Sequence, residues 1–241
     1  MKQHVLFAGA FLVLTAFGQE RQPLPFFHKN DVILFHGDSI TDGGRQRTGR
    51  DFNHIMGQDY EYILAAQVGA EYPDRNLDFE NRAIGSERVL DLAARWQTDA
   101  LDIRPNMLSI LVGINDTLMV GDKAETVDQF ERIYDKLLAN TIAALPNTKI
   151  IIGEPFLLPV GKHELTYTIE LAELQKRQAI VRRLASKYHA AIVPYQEVFN
   201  KACLNAPPKY WSWDGIHPTY AGHALMAKAW LQAASAYWPK G

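Results

Sequence analysis

The sequence predicts a single α/β domain, a three-layer α/β/α sandwich around a five-stranded parallel sheet. Two observations carry this prediction. Strand candidates alternate with helical segments along the chain, and several of the strands read as apolar runs. Such runs are typical of strands buried on both faces by helices. The length of 241 residues, 47% of them hydrophobic, suits one domain with a sizeable core and leaves little room for a second.

Five strand candidates occur along the chain, and helical candidates separate or follow them. Strands are predicted at residues 31–35, 77–82, 106–112, 149–153 and 191–194. Helices are predicted, from spacing or from an apolar stripe, at residues 60–68, 89–103, 126–145, 169–189 and 219–238. In an open sheet of this kind the site lies beyond the carboxyl ends of the strands. Chemistry is therefore expected at residues 36–41, 83–88 and 113–117, and in the segment before the last helix.

The first eighteen residues resemble an export signal. A short, mildly basic start precedes a run of thirteen uncharged residues at 5–17, and small residues stand just before Gln19. This pattern predicts a secretory signal peptide at 1–18 and a single mature domain at 19–241. An uncleaved anchor or a buried helix is the alternative, although thirteen residues are short for a membrane span. We therefore expect a periplasmic or extracellular protein.

Charge and cysteine content exclude several classes of function. Lys and Arg number 25 and Asp and Glu 27, a net charge of −2, which argues against nucleic-acid partners and anionic membrane surfaces. We expect no stable membrane insertion, and a homo-oligomer is possible. The single Cys203 excludes an intramolecular disulfide and a multi-cysteine metal cluster. It is expected to be a small buried residue.

A serine and an Asp–His pair occupy two of the segments where chemistry is expected. Ser39 follows the first strand in Gly-Asp-Ser-Ile-Thr-Asp, and Asp214 and His217 stand three apart just before the last helix. The carboxylate can fix the imidazole tautomer and leave the other ring nitrogen as a base. Helix capping by Ser39 and a solvated turn around His217 are the plainer interpretations.

Two further polar segments follow the second and third strands. Gly85 and Ser86 follow the second, where small residues let a backbone N–H approach a ligand. Asn115 and Asp116 follow the third, where the Asn amide can donate to an oxyanion while the carboxylate holds the loop or caps a helix. A simple turn, with Ser86 as N-cap in the first case, is the alternative for each.

Together these residues supply the roles of serine acyl transfer: nucleophile, base, orienting acid and oxyanion donors. The serine is not in a Gly-x-Ser-x-Gly elbow, which argues against the common α/β-hydrolase fold. No metal or organic cofactor is expected. Two other classes stay open, a non-catalytic carbohydrate-binding module and a metal-dependent phosphoesterase. The phosphoesterase would hold its metal with nitrogen and oxygen ligands from His36, Asp38, Asp214 and His217.

The four segments, in this order, resemble the blocks of the SGNH, or GDSL-type, hydrolase family. The resemblance implies a flavodoxin-like strand order, Ser39 as nucleophile, and His217 as general base with Asp214 as its partner. The oxyanion would be held by the Ser39 N–H, a second-block N–H and the Asn115 side chain. Ser86 stands where the family has glycine, with Gly85 one place earlier, so either N–H is a candidate.

Within the family, the closing segment from Trp213 to His223 is similar to that of bacterial acetylxylan esterases. This implies hydrolysis of acetyl esters on plant-wall sugars, with an acetylated carbohydrate or another small ester as substrate. Tyr210, Trp211 and Trp213 are candidates for stacking on a sugar ring, with core packing as the alternative for each. Lysophospholipid, thioester and short-chain aryl ester hydrolysis are the alternatives within the family.

Overall fold

A computed structural model describes residues 24–49, 51–119 and 125–239, and a five-stranded parallel sheet lies at their centre. The strands are β1 (Val32–Gly37), β2 (Asp78–Asn81), β3 (Met107–Leu111), β4 (Lys149–Gly153) and β5 (Ala191–Val193). Their order is β2-β1-β3-β4-β5, and every pair is parallel. The predicted fold class and the flavodoxin-like order are confirmed. The predicted signal peptide at 1–18 lies outside the described residues.

Nine α-helices connect or follow these strands in the described part of the chain. They are α1 (Ser39–Asp42), α2 (Tyr60–Glu71), α3 (Val89–Ala94), α4 (Ile114–Leu118), α5 (Val127–Ala144), α6 (Tyr167–Lys187), α7 (Tyr195–Ala202), α8 (Pro208–Trp211) and α9 (Tyr220–Tyr237). None of these helices combines the length and the apolar character that crossing a membrane requires.

The sheet separates two hydrophobic clusters, one on each face. Side chains alternate along β1, so that Ile33 and Phe35 pack with α2, α7 and α9, whereas Leu34 packs with α3, α5 and α6. All three side chains are fully buried. Strands β1, β3 and β4 are almost wholly buried because helices cover both sides of the sheet, as their apolar runs predicted. The edge strand β2 is polar and mostly half-buried.

One predicted helix is wrong in extent. Residues 89–103 do not form one helix: α3 ends at Ala94, Arg95 leaves helical geometry with φ −120° and ψ 12°, and a single π-turn follows at Gln97–Leu101. The Arg95 guanidinium donates to the Arg82 carbonyl and to Asp99. This polar side chain therefore ties the break to the end of β2.

The short helices α1, α4, α7 and α8 were not predicted. Three of them have at most five residues, too few for a periodic pattern. Helix α7 did carry a signal, because its Tyr195, Phe199 and Ala202 are all buried and are spaced as one helical face. Cys203, at the end of α7, is half-buried against the core. The prediction that it is fully buried is therefore wrong.

Candidate active site

Ser39 is the first residue of α1, directly after the carboxyl end of β1. Asp38 is the N-cap, and its Oδ1 accepts the Ile40 N–H at 3.0 Å. Capping is thus done by Asp38 and not by the serine, whose hydroxyl is used elsewhere. Gly37 has φ +156°, and a Cβ there would lie 2.2 Å from the Leu111 carbonyl oxygen. Glycine therefore lets the ends of β1 and β3 meet beside Ser39.

The predicted Asp–His pair lies opposite the serine and forms a continuous hydrogen-bonded chain with it. Ser39 Oγ is 2.8 Å from His217 Nε2, and His217 Nδ1 is 2.7 Å from Asp214 Oδ2. Asp214 Oδ1 also accepts the backbone N–H groups of Ile216 and His217 at 2.9 and 2.7 Å. The tight turn thus uses both carboxylate oxygens to hold the imidazole ring.

The electrostatics of this turn keep Asp214 ionised. Partial burial raises the pKa of Asp214, but its hydrogen bonds to His217 and Ile216 outweigh burial, and the net pKa is lowered. An ionised Asp214 accepts the Nδ1–H of His217. This leaves the Nε2 lone pair directed at the Ser39 hydroxyl.

The second block holds its two candidate N–H groups in different ways. The Gly85 N–H donates to Asp42 Oδ2 at 2.7 Å and is therefore occupied. Ser86 has φ +67°, a left-handed conformation that glycine adopts more easily. Among the described residues, nothing accepts the Ser86 N–H, so Ser86 is the available donor.

Asn115 lies in α4, after the carboxyl end of β3. One of its amide hydrogens is used, because Nδ2 donates to the Glu87 carbonyl at 3.0 Å; the second remains for a ligand. Asp116 accepts the Val89 N–H at 3.1 Å and so caps α3. The role predicted for Asp116 is observed, whereas Ser86 does not cap the helix.

The three predicted stacking residues differ in exposure. Trp213 is 64% exposed, and its ring stacks on the His217 imidazole with centroids 5.2 Å apart and planes 15° apart. Tyr210 is 51% exposed and packs edge-on against Trp211. Trp211 itself packs against the core cluster, as the core-packing alternative predicted. Two aromatic rings are therefore open to a ligand, one of them beside the base.

The alternative metal-ligand set is not assembled. His36 is fully buried against Trp96, with ring centroids 5.0 Å apart. Burial lowers the pKa of His36 most, and the nearby positive charge of Arg95 lowers it further. No group of three or more His, Cys, Asp or Glu residues in the described ranges could hold a metal ion. His36 belongs to the helix-covered face beneath the site.

Asp42 and Arg47 are neighbours of the site to which the sequence assigned no role. Asp42 is nearly buried, accepts the Gly85 N–H, and is 2.6 Å from Arg47 Nη2. No local sequence pattern marks this role, because the Gly85 N–H that Asp42 accepts lies 43 residues further along the chain.

Comparisons with known proteins agree with this geometry. The family model "GDSL-like Lipase/Acylhydrolase family" matches residues 35–225. A crystal structure from Parabacteroides merdae ATCC 43184, described as a GDSL-like lipase, is 35% identical with a TM-score of 0.80, covering 87% of this chain and 97% of the other. LAE5, an alpha/beta hydrolase enzyme from the metagenome of Lake Arreo, Spain, is 29% identical with a TM-score of 0.78. The match covers 88% of this chain and 99% of LAE5.

An acetylxylan esterase of Geobacillus stearothermophilus, Axe2, is 28% identical over 216 residues, which are 86% of this chain and 95% of that protein. Its crystal structure superposes with a TM-score of 0.78. The family match covers most of the chain, and the relatives share its whole fold. The chain belongs to the GDSL-like lipase/acylhydrolase family and is a carboxylic ester hydrolase.

Proposed function

We propose that this protein is a serine esterase that removes O-acetyl groups from plant cell-wall oligo- or polysaccharides such as xylan. The observation that carries the proposal is the chain of hydrogen bonds from Asp214 through His217 to Ser39. It places a base on the serine hydroxyl and an ionised carboxylate behind the base. That arrangement activates a serine for attack on a carbonyl.

The reaction proceeds through an acyl-enzyme. His217 Nε2 takes the hydroxyl proton as Ser39 Oγ attacks the ester carbonyl, and Asp214 stabilises the imidazolium that forms. His217 then protonates the sugar oxygen as its bond to the carbonyl carbon breaks, so that the sugar leaves as an alcohol and an acetyl group stays on Ser39. A water molecule, deprotonated by His217, attacks the acetyl-enzyme, releases acetate and restores the serine.

Three donors would stabilise the oxyanion. The Ser39 N–H is in the first turn of α1, where backbone N–H groups lack intrahelical partners. Within residues 24–49, 51–119 and 125–239 nothing accepts the Ser86 N–H, and Asn115 Nδ2 uses only one of its two hydrogens, on the Glu87 carbonyl. Donors fixed before the reaction stabilise the transition state without reorganising.

Two observations support an acetylated carbohydrate as the substrate. The relative from Geobacillus stearothermophilus is an acetylxylan esterase, and its solved catalytic mutants replace a serine, an aspartate and a histidine. That aspartate and histidine are three residues apart, as Asp214 and His217 are. The exposed ring of Trp213, beside the base, and the exposed ring of Tyr210 offer apolar faces on which a sugar ring can stack.

A substrate panel tests the proposal. We expect hydrolysis of p-nitrophenyl acetate to exceed that of longer acyl chains, and acetylated xylo-oligosaccharides to release acetate. Ser39→Ala should abolish both reactions, and a serine-directed organophosphonate should inactivate the wild type while EDTA leaves it active. Preference for long acyl chains or for lysophospholipids would overturn the acetyl-carbohydrate assignment. Loss of activity in EDTA, with resistance to the organophosphonate, would overturn the serine mechanism.

Asn115→Ala tests the oxyanion assignment separately. Loss of one donor typically lowers kcat by about 10²–10³, and we expect that decrease here with KM little changed. Steady-state kinetics on p-nitrophenyl acetate measure it, and circular dichroism controls for folding because Asn115 also donates to the Glu87 carbonyl. Near-normal turnover in this variant would remove Asn115 from the role.

A further inference from the structure

We propose that Asp42 is a positioning residue for the oxyanion site, because its carboxylate takes up the Gly85 N–H and so orients the following peptide. Arg47 holds that carboxylate in place. The Ser86 N–H is then presented to the oxyanion. This inference rests on the proposed function, since it concerns a donor of the same site.

The contacts of Asp42 use both carboxylate oxygens. Oδ2 accepts the Gly85 N–H at 2.7 Å and the Arg47 Nη2–H at 2.6 Å, and Oδ1 accepts the Arg45 N–H at 3.3 Å. The residue is 7% exposed. Hydrogen bonds to a charged, largely buried carboxylate are stronger than those between neutral groups. The carboxylate therefore links the segment after α1 to the second block.

The two arginines hold the same block at a second point. Arg45 Nε and Arg47 Nη1 both donate to the Ala83 carbonyl, at 2.8 and 2.7 Å. Two backbone groups of the block, the Ala83 carbonyl and the Gly85 N–H, are thus held by residues that follow the nucleophile in sequence. The block is fixed just before the peptide that carries the Ser86 N–H.

The conformation of Ser86 requires such support. A φ of +67° is uncommon for a residue with a Cβ and persists where neighbouring contacts hold it. The preceding residue is close to the nucleophile, because a Cβ built on Gly85 would lie 3.8 Å from Ser39 Cβ and 3.5 Å from Asp42 Oδ2. A small rotation of the Gly85–Ser86 peptide would move the donor away from the oxyanion.

The decisive variants are Asp42→Ala, Asp42→Asn and Arg47→Gln. We expect Asp42→Ala to lower kcat on p-nitrophenyl acetate by about 10- to 100-fold, below the full loss of a donor, with KM within about twofold. Asp42→Asn should lower kcat less than Asp42→Ala does, because the Asn amide oxygen still accepts the Gly85 N–H. Arg47→Gln should lower kcat by about threefold to tenfold.

A second readout separates positioning from a purely structural role. An alkyl boronic acid forms a tetrahedral adduct on a serine nucleophile and places an oxygen in the oxyanion site. Its inhibition constant should rise in each variant by the same factor by which kcat/KM falls, as for a transition-state analogue. If Asp42 had a purely structural role, the variants would have a lower melting temperature, and their boronate inhibition constants would not follow kcat/KM.

Arg182→Gln is the matched control. Like Arg47, Arg182 has a partly exposed side chain that forms an ion pair with a buried carboxylate, here that of Glu154, at 2.6 Å. The exposed fraction of the side chain is 59% for Arg182 and 45% for Arg47. Arg182 lies on α6, and in the described structure its hydrogen bond and ion pair are both to Glu154, outside the four blocks, so kcat should be unchanged. If Asp42→Ala fails to fold, Arg47→Gln and Asp42→Asn decide the question, since both keep an acceptor for Gly85.

Two failures are distinguishable. If Ser39→Ala stays active, the proposed function is wrong. If Ser39→Ala is inactive while the Asp42 and Arg47 variants keep wild-type kcat and boronate affinity, only the positioning role is wrong.

Discussion

At the scale of single residues, Asp38 is the most strongly perturbed group next to the nucleophile. It is buried, one of its oxygens accepts the Ile40 N–H, and the other has no partner among the described residues. Burial raises the pKa of Asp38 to about 7, although the Ile40 N–H and the nearby His217 oppose the increase.

Asp38→Asn should make stability less dependent on pH. The native carboxyl binds its proton more tightly than the unfolded chain, whose Asp pKa is about 3.9. Wild-type stability therefore falls as pH rises from about 4 to about 7 and stays reduced above that. The neutral amide avoids this loss and keeps an oxygen for the Ile40 N–H. We expect a higher melting temperature than wild type at pH 8 and a smaller gain at pH 5. An equal gain at both pH values would contradict this explanation.

At the scale of elements, the start of α9 determines where the Asp–His turn lies. Thr219 caps the helix by accepting the Gly222 N–H at 3.3 Å and donates to the Tyr210 carbonyl at 2.8 Å. A Cβ on Gly222 would lie 2.2 Å from the Trp211 carbonyl oxygen. Helices α8 and α9 thus meet backbone to backbone on either side of His217.

Two Gly→Ala variants should have opposite effects. Alanine is better than glycine inside a helix by about 1 kcal/mol. Gly69, in α2, has nothing within 4 Å of the built Cβ, so Gly69→Ala should stabilise by up to about that amount. Gly222→Ala should destabilise and lower kcat, because the Trp211 backbone must move. Urea unfolding and esterase assays measure both, and equal stability of the two variants would contradict the packing argument.

At the scale of the whole molecule, the described chain begins inside the core. Phe26 and Phe27 belong to the cluster under α2 and α9, and Phe27 stacks on Trp230 with centroids 6.3 Å apart. Arg75 Nη1 donates to the Leu24 and Phe27 carbonyls at 2.6 and 2.9 Å. The segment is therefore part of the domain, and the boundary proposed after residue 18 precedes it.

Two N-terminal deletions test that boundary. A protein lacking residues 1–18 should unfold with a free energy within about 1 kcal/mol of the full chain, since terminal residues matter only where they pack. A protein lacking residues 1–27 should lose several kcal/mol, because each buried Phe contributes about 3–5 kcal/mol relative to Ala. Urea denaturation of both proteins measures the difference. Similar losses of unfolding free energy in the two proteins would contradict the boundary. An unchanged free energy in the protein lacking residues 1–27 would contradict it too.

The sequence by itself determined the parts whose physics is local. Unbroken apolar runs require strands covered on both faces, and the carboxyl ends of parallel strands converge, so Ser39, Asn115 and His217 were expected at one edge of the sheet. The three-residue spacing from Asp214 to His217 is a single turn, and the structure shows that turn closed by hydrogen bonds.

Only the tertiary structure decided which second-block N–H is free. The Gly85 N–H is occupied by Asp42, a carboxylate 43 residues earlier in the chain, and the left-handed conformation of Ser86 depends on the same packing. Such contacts join the ends of different strands, so no local pattern encodes them. The same reason explains the break at Arg95, whose side chain bonds to the end of β2. Local spacing selects the reacting groups, and long-range packing decides which of their neighbours remain free to act.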